Sequence, residues 1–239
     1  MRNIFIVTVI LFFFVSLSAE ESKNVVRAAF FPVHEAVLSA RADSVLCPIK
    51  LRTGSAFKSG EILLELDSSR YRIEKERCQE LYDFARFQFE DKRALREKNL
   101  TSDFELMKAK HELIMSASAL AEANLNLSFC IITAPFDGKI AEIMTHDFET
   151  VRPGQPLLRI IDDHELLAVI NPPLTWALRK KIGDKANLRL SNGQTVEGTI
   201  YEIAPAADNR TETVRVKIKV NNAEGNFCAG MTGDLIYGN

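Results

Sequence analysis

The chain has 239 residues, a formal net charge of -2, 46% hydrophobic residues and 26% charged residues, values typical of globular proteins. This composition excludes a disordered chain, and the lack of a basic excess argues against nucleic-acid binding. The length allows one large domain or two to three small ones. The densest basic cluster, Arg179-Lys180-Lys181, is too short to act as a polybasic anchor.

The first 19 residues have the pattern of an export signal. Arg2 supplies a positive charge, Ile4 to Val15 is apolar apart from Thr8, and small residues lead to Ala19. The apolar run is about 12 residues long, shorter than the ~20 that span a bilayer. We therefore predict a signal peptide over 1–19, cleaved near Ala19, with retention as an anchor as the alternative. The mature chain is expected to be soluble and extracytoplasmic.

Three regions follow this segment. Short β-rich runs interrupted by proline and glycine extend to Leu66, and the same pattern returns from Cys130 onward. Residues 68–129 contain neither glycine nor proline, which predicts helices. The helical region is expected to break near 99–102, where Ser102 and Glu105 form a Ser-x-x-Glu capping box. The two helices would fold back on each other as an antiparallel hairpin.

The packing faces of the two helices are predicted from their periodicity. In the second helix a leucine row with small residues three places after each leucine suits close packing: Leu106, Leu113, Leu120 and Leu127. The stripe of the first helix expected to meet this row comprises Ile73, Leu81, Phe84, Phe87 and Leu95. The opposite face carries Cys78, Tyr82, Ala85 and Phe89. Its aromatic residues are interpreted either as merely half-exposed or as part of a second contact surface, against another copy or another protein.

The β-rich regions around the hairpin resemble each other, since the segment Gly60–Leu66 aligns with Gly154–Ile160. Two similar halves imply one β domain whose chain leaves and returns. In the C-terminal region, alternating residues over 196–203 and 214–220 predict the walls of a small closed or nearly closed sheet. A short helix after Pro172-Pro173, containing Trp176, is expected to cap one end of it.

Motifs for enzymatic chemistry are lacking. The sequence has no nucleophile elbow, no phosphate-binding glycine loop and no CxxC pair. The run Asp162-Asp163-His164-Glu165 is interpreted as a solvated loop rather than a metal or acid–base cluster. The four cysteines are interpreted as small buried hydrophobic residues, with a single disulfide as the alternative: Cys47, Cys78, Cys130 and Cys228. We predict a non-enzymatic protein with no cofactor and no metal site.

Several motifs together resemble the periplasmic adaptor, or membrane fusion protein, family of bacterial efflux and secretion systems. The run Ala134-Pro-Phe-Asp-Gly138 is among the most recognisable sequences of that family, and the stretch from Thr53 to Asp67 is close to its first lipoyl-like half. The C-terminal motifs Gly198–Pro205 and Ala229-Gly-Met231 also fit. The similarity covers nearly the whole mature chain in the correct order.

The resemblance implies a mainly β fold with a long α-helical hairpin and the following domains. Residues 20–36 would contribute a strand to the barrel region, and 37–67 plus 130–162 would form a split lipoyl-like domain (a barrel-sandwich hybrid). Residues 68–129 would form the hairpin, and 163–239 a small β-barrel. The membrane-proximal domain of many relatives is expected to be missing or vestigial.

The resemblance also implies partners and a location. The partners would be an inner-membrane transporter of RND or ABC type and an outer-membrane channel. Copies of the chain would form a ring, with a hexamer as one candidate, in the periplasm at the inner membrane. The alternative is an extracytoplasmic small-molecule-binding or structural module without a transporter.

Family hairpins present an arginine, a leucine and a serine near the tip for docking to the channel. In this sequence Leu95 and Ser102 occupy the leucine and serine positions, whereas Asp91 stands where the arginine is expected. The candidate partner-binding residues at the tip are Leu95, Asn99, Leu100 and Ser102. Ser102 also has a sufficient structural role as a helix cap.

Overall fold

The structure, a computed structural model, describes residues 24–237. The predicted export signal lies outside the described residues. The described part is mainly β, with two long helices and one short helix. The elements are β1 (Asn24–Ser39), β2 (Ser44–Val45), β3 (Ala56–Phe57), β4 (Ile62–Glu65), α1 (Ser69–Glu97), α2 (Asp103–Ser128), β5 (Ile131–Thr133), β6 (Gly138–Ile143), β7 (Thr150–Val151), β8 (Pro156–Ile170), α3 (Leu174–Ala177), β9 (Lys185–Leu190), β10 (Thr195–Asp208), β11 (Thr213–Asn221) and β12 (Thr232–Tyr237).

Six strands close into an antiparallel barrel in the order β1-β12-β9-β10-β11-β8, with β8 pairing back onto β1. Inward-facing residues alternate along each strand, as in β9, where Ala186, Leu188 and Leu190 are buried while the residues between them are exposed. Sixteen buried residues fill the barrel, including Phe30, Leu166 and Ile218. The interior is therefore a packed core.

A second core lies beyond one end of the barrel. The later half of β1 and the first half of β8 continue there as a paired ribbon, after a register shift between Pro32 and His34. Fifteen buried residues form this core, and they come from both sides of the helical region, for example Leu64 and Ile132. Strands β4 and β5 pair across the base of the helices, where the Leu66 amide donates to the Cys130 carbonyl over 2.8 Å.

The acidic run 162–165 lies within β8 and not in a loop, so that part of the sequence interpretation is wrong. Because successive side chains of a strand point to opposite faces, the four residues do not converge on one site. Asp163 pairs with Lys139 at 2.7 Å, and Glu165 pairs with Lys219 at 2.6 Å. Asp163 and Glu165 are thus each paired across strands, whereas Asp162 contacts the His164 ring, 2.9 Å away on the same strand.

All four cysteines are free thiols. Cys78 and Cys130 are buried, as predicted, and burial, with the nearby Asp67 charge, raises the pKa of the Cys130 thiol. Cys47 is half-buried. The prediction is wrong for Cys228, which is exposed on the loop before β12.

Candidate functional site

The candidate site is the pair of helices that leaves the second core. Helix α1 has 29 residues and α2 has 26, about 40 Å each at 1.5 Å per residue. The five residues 98–102 join them, so the two helices are antiparallel neighbours. Their free end, the tip, carries the predicted partner-binding residues.

The tip is a tightly defined turn. Asn99 adopts a left-handed φ of 59°, and its amide donates to the Arg96 carbonyl while the Leu100 amide donates to the Leu95 carbonyl. These two bonds form a Schellman motif, in which asparagine tolerates the left-handed position that glycine usually fills. Ser102 then caps α2, because its hydroxyl accepts from the Glu105 amide at 3.2 Å. The predicted N-cap is confirmed.

An ion pair that the sequence analysis missed closes the tip. The Arg96 guanidinium makes two hydrogen bonds to the Asp103 carboxylate, at 2.6 and 3.1 Å, and a third to the Asn99 side chain at 3.2 Å. The bonds to Asp103 raise the pKa of Arg96. The sequence did contain a signal for this ion pair, namely two residues of opposite charge, seven positions apart, on either side of the predicted turn. The pair thus links the last turn of α1 to the first turn of α2, on either side of Leu100.

The four predicted tip residues differ in what they can offer a partner. Asn99 and Leu100 are exposed, whereas Leu95 is half-buried against α2 and the Ser102 hydroxyl is engaged in the cap. Phe104, in the first turn of α2, is also strongly exposed and was not predicted from the sequence. Leu100 and Phe104 therefore give the tip an apolar end.

The predicted inner face of α1 is wrong. Cys78 and Ala85 are buried, with 3% and 2% of their surface exposed, and Tyr82 and Phe89 are half-buried. The large residues Phe84 and Phe87, expected to meet the leucine row, remain 61% and 67% exposed. The α2 prediction is correct: its four leucines are half-buried, and Ala109 and Ala123 are buried beside them. Small residues on both helices let the backbones approach closely, and this displaces the bulky stripe outward.

The displaced stripe forms an apolar groove along one side of the hairpin. The groove encloses about 820 Å³ between α1 and α2, and its apolar lining includes Leu81, Phe84, Phe87 and Met115. Toward the tip its rim carries mixed charge from Asp91, Lys92, Glu105, Lys108 and Glu112. Asp91, which occupies the expected arginine position, is thus part of this rim. Surface of this kind marks a contact site for another protein more often than a solvated face.

Two further properties of the described residues bear on function. Residues 24–237 contain no helix long and apolar enough to cross a membrane. Within the same range, no group of three or more histidine, cysteine, aspartate or glutamate side chains is arranged to hold a metal ion.

Comparison with known proteins finds a matching family for the C-terminal barrel region and relatives for most of the chain. Residues 174–238 match the family described as CusB-like, beta-barrel domain. The chain is 22% identical over 222 residues to the nodulation protein NolF of Rhizobium meliloti, covering 85% of this chain and 60% of NolF. It is 25% identical over 215 residues to the multidrug resistance protein MdtA of Escherichia coli, covering 77% of this chain and 50% of MdtA. The chain thus spans about half to three fifths of these relatives' length.

Solved structures share the fold. A chimera of MacA and MexA, which contains the α-hairpin domain of Pseudomonas aeruginosa MexA, superposes with a TM-score of 0.76 at 20% identity, covering 91% of this chain and 80% of the chimera. The membrane fusion protein Spr0693 of Streptococcus pneumoniae superposes with a TM-score of 0.72 at 13% identity, covering 90% and 99%. The resemblance drawn from the sequence motifs is confirmed: residues 174–238 match the CusB-like barrel family, and the whole described chain shares its fold with a membrane fusion protein.

Proposed function

We propose that this chain is a non-enzymatic periplasmic adaptor that links an inner-membrane transporter to an outer-membrane channel in a tripartite efflux or secretion assembly. The observation that carries the proposal is the surplus apolar surface of the hairpin. Its inner face is already filled by small residues and the leucine row, yet the groove residues Leu81, Phe84 and Phe87 stay exposed. A long two-helix element with such a face requires partners to cover it.

The two cores support a separate role for each part of the chain. The split core, 37–67 plus 130–162, acts as a lipoyl-like base, and the hairpin 68–129 extends from it. The barrel, built from 163–239 and the strand within 20–36, faces the transporter side. Neighbouring copies cover the groove in a ring, and Leu100 and Phe104 at the tip contact the channel. The name of the relative MdtA, a multidrug resistance protein, supports an efflux role.

The packed barrel weighs against the alternative of a small-molecule-binding module. Sixteen buried side chains occupy its interior, and Leu166, Leu188 and Ile218 are fully buried. A ligand would have to displace this core rather than enter a cavity. No specific observation favours that second function.

Photo-crosslinking in cells tests the proposal. A photoreactive amino acid at Phe84, in the groove, is expected to yield crosslinked multimers of this chain, whereas one at Leu100 yields a product with an outer-membrane protein. Arg152, an exposed residue of the split core, is the matched control position. A strictly monomeric protein that crosslinks to no membrane partner from either position would refute the adaptor function.

A further inference from the structure

The barrel carries an unexplained surface at the end far from the hairpin. Strand β1 begins at that end, because Asn24 pairs with Tyr237 and Ala28 with Ile170, while its later residues enter the second core. The connection from β8 to β9, residues 171–184, therefore also lies there. We call the exposed part of this connection, Leu178 to Ile182, the distal patch.

The distal patch combines exposed aliphatic and basic side chains. Leu178 and Ile182 are 77% and 69% exposed, more than most large apolar residues in the described part of the chain. Arg179, Lys180 and Lys181 lie between them in sequence. A basic run flanked by aliphatic residues suits an interface with an apolar layer beneath an anionic one, because lysine and arginine hold their charge at the surface while aliphatic groups insert.

A cleft beside the patch completes the arrangement. It measures about 370 Å³ and is lined by Trp176, Tyr237 and three basic residues, Arg179, Lys180 and Lys185. The two aromatic rings lie 6.1 Å apart, and the Lys180 ammonium is 5.7 Å from the centre of the Trp176 ring. Trp176 is only 9% exposed and belongs to the barrel core, so it borders the cleft from within while the basic residues and Leu178 and Ile182 offer the surface.

The nearby acids do not neutralise this charge completely. Glu197 pairs with Lys185, and the Asp184 carboxylate accepts from the backbone amide of Lys181. Arg179 and Lys181 make no side-chain ion pair within residues 24–237, and both are exposed. A local positive excess thus stands out on a chain whose net charge is -2.

We propose that the distal patch docks on an anionic phospholipid surface. Headgroup phosphates bind Arg179, Lys181 and the basic rim of the cleft, and Leu178 and Ile182 insert at the level of the upper acyl chains. Charge complementarity and the two protruding aliphatic side chains favour a bilayer over a protein partner, which would be expected to present a pocket for them. Neither element suffices alone, since stable surface binding requires both an apolar and an electrostatic contribution.

The single tryptophan of the chain offers a local reporter, because Trp176 lines the cleft. The protein, in the form in which export leaves it, is titrated with phosphatidylglycerol vesicles whose acyl chains carry bromine, and quenching of Trp176 fluorescence is measured. Quenching is expected with these vesicles and not with brominated phosphatidylcholine. An apolar N-terminal segment, if retained, would tether the protein to both and cannot produce this difference.

Two pairs of substitutions separate the contributions. The double variant Arg179→Gln with Lys181→Gln is expected to need roughly 25-fold more lipid for half-maximal quenching, about fivefold per charge. Leu178→Ser with Ile182→Ser should remove quenching altogether. The matched control, Lys58→Gln with Arg152→Gln, changes two exposed basic residues of the split core and should behave as the unmodified protein.

Unaltered Trp176 emission without vesicles shows that each variant is folded. Absence of quenching in the unmodified protein overturns the proposal, as does equal quenching in the patch variants. Photo-crosslinking from Leu178 to a transporter, with no quenching by vesicles, would assign the patch to a protein contact instead.

Discussion

The assignment of the inner face of α1 makes a sharp prediction, because substitutions at two adjacent residues should destabilise the hairpin by very different amounts. Ala85 lies between the helices with 2% of its surface exposed, and Phe84 points outward with 61% exposed. In Ala85→Asn the larger side chain overpacks the interface, at about 1–3 kcal/mol. Its amide adds about 1–3 kcal/mol where it finds no partner. The expected loss is therefore about 2–6 kcal/mol of hairpin stability, in addition to the lower helix propensity of asparagine.

Phe84→Asn should cost far less. A fully buried phenylalanine contributes about 1.5–3 kcal/mol, and Phe84 buries well under half of its surface, which leaves about 1 kcal/mol in the isolated protein. The propensity cost of asparagine, about 0.7 kcal/mol relative to alanine, is measured separately with Ala121→Asn, an exposed alanine of α2. The three variants thus isolate burial from propensity.

Urea unfolding followed by the helical circular dichroism signal is the appropriate assay, since α1 and α2 supply most of the helix in the described residues. The measurement is made on monomer at low concentration, so that assembly through the groove does not contribute. If Phe84→Asn destabilised the hairpin more than Ala85→Asn, the bulky stripe would be the inner face and the arrangement described above would be wrong.

Three further predictions follow from local contacts. Ser102→Ala should lower hairpin stability by about 1 kcal/mol through loss of the cap in the same urea assay, whereas Thr101→Ala, just outside the cap, should have little effect. In Gly138→Ala the added Cβ would lie 2.2 Å from the Ile161 carbonyl oxygen in the β6–β8 ladder, so we expect a loss of soluble protein on expression. Gly54 has open space around it but a φ of 87°. The control Gly54→Ala should therefore express and lower the free energy of unfolding by only about 1–2 kcal/mol. The Ser69 hydroxyl and amide lower the pKa of Asp67, and the His146 amide with Thr145 and Gln155 lowers that of Glu149. Both carboxylates therefore stabilise the fold above their unfolded pKa values of about 4, and this contribution is lost as the pH falls through their lower folded values. Asp67→Asn with Glu149→Gln should flatten the acid limb of a stability-versus-pH curve, and an unchanged acid limb would show that these bonds are not formed in solution.

Features encoded by local chemistry could be predicted from the sequence. The absence of glycine and proline over 68–129 coincides with α1 and α2, and the Ser102 cap follows from a serine and a glutamate three residues apart. Alternating residues in β11 predicted its buried face, where Val214, Val216 and Ile218 point into the barrel. Each of these depends on neighbours within a few residues.

Features that depend on distant partners were missed or misjudged. The inner face of α1 was chosen by side-chain size, although the small residues Cys78 and Ala85 are seven positions apart and the buried alanines of α2 are fourteen apart, so both pairs follow one heptad. The acidic run in β8 looked like a loop because its basic partners, Lys139 and Lys219, are more than twenty residues away. The apolar tip residue Phe104 has no local pattern that distinguishes it from a core residue.

The closed base of the hairpin has a consequence for how this protein can vary. The bond from the Leu66 amide to the Cys130 carbonyl joins the strands on which the helices stand, so the split core is complete without any contribution from the tip. Removing seven residues from each helix would shorten the hairpin by about 10 Å while keeping the same helix faces in register. The length of the hairpin can therefore change while the split core stays the same, and the distance that the hairpin spans changes with it.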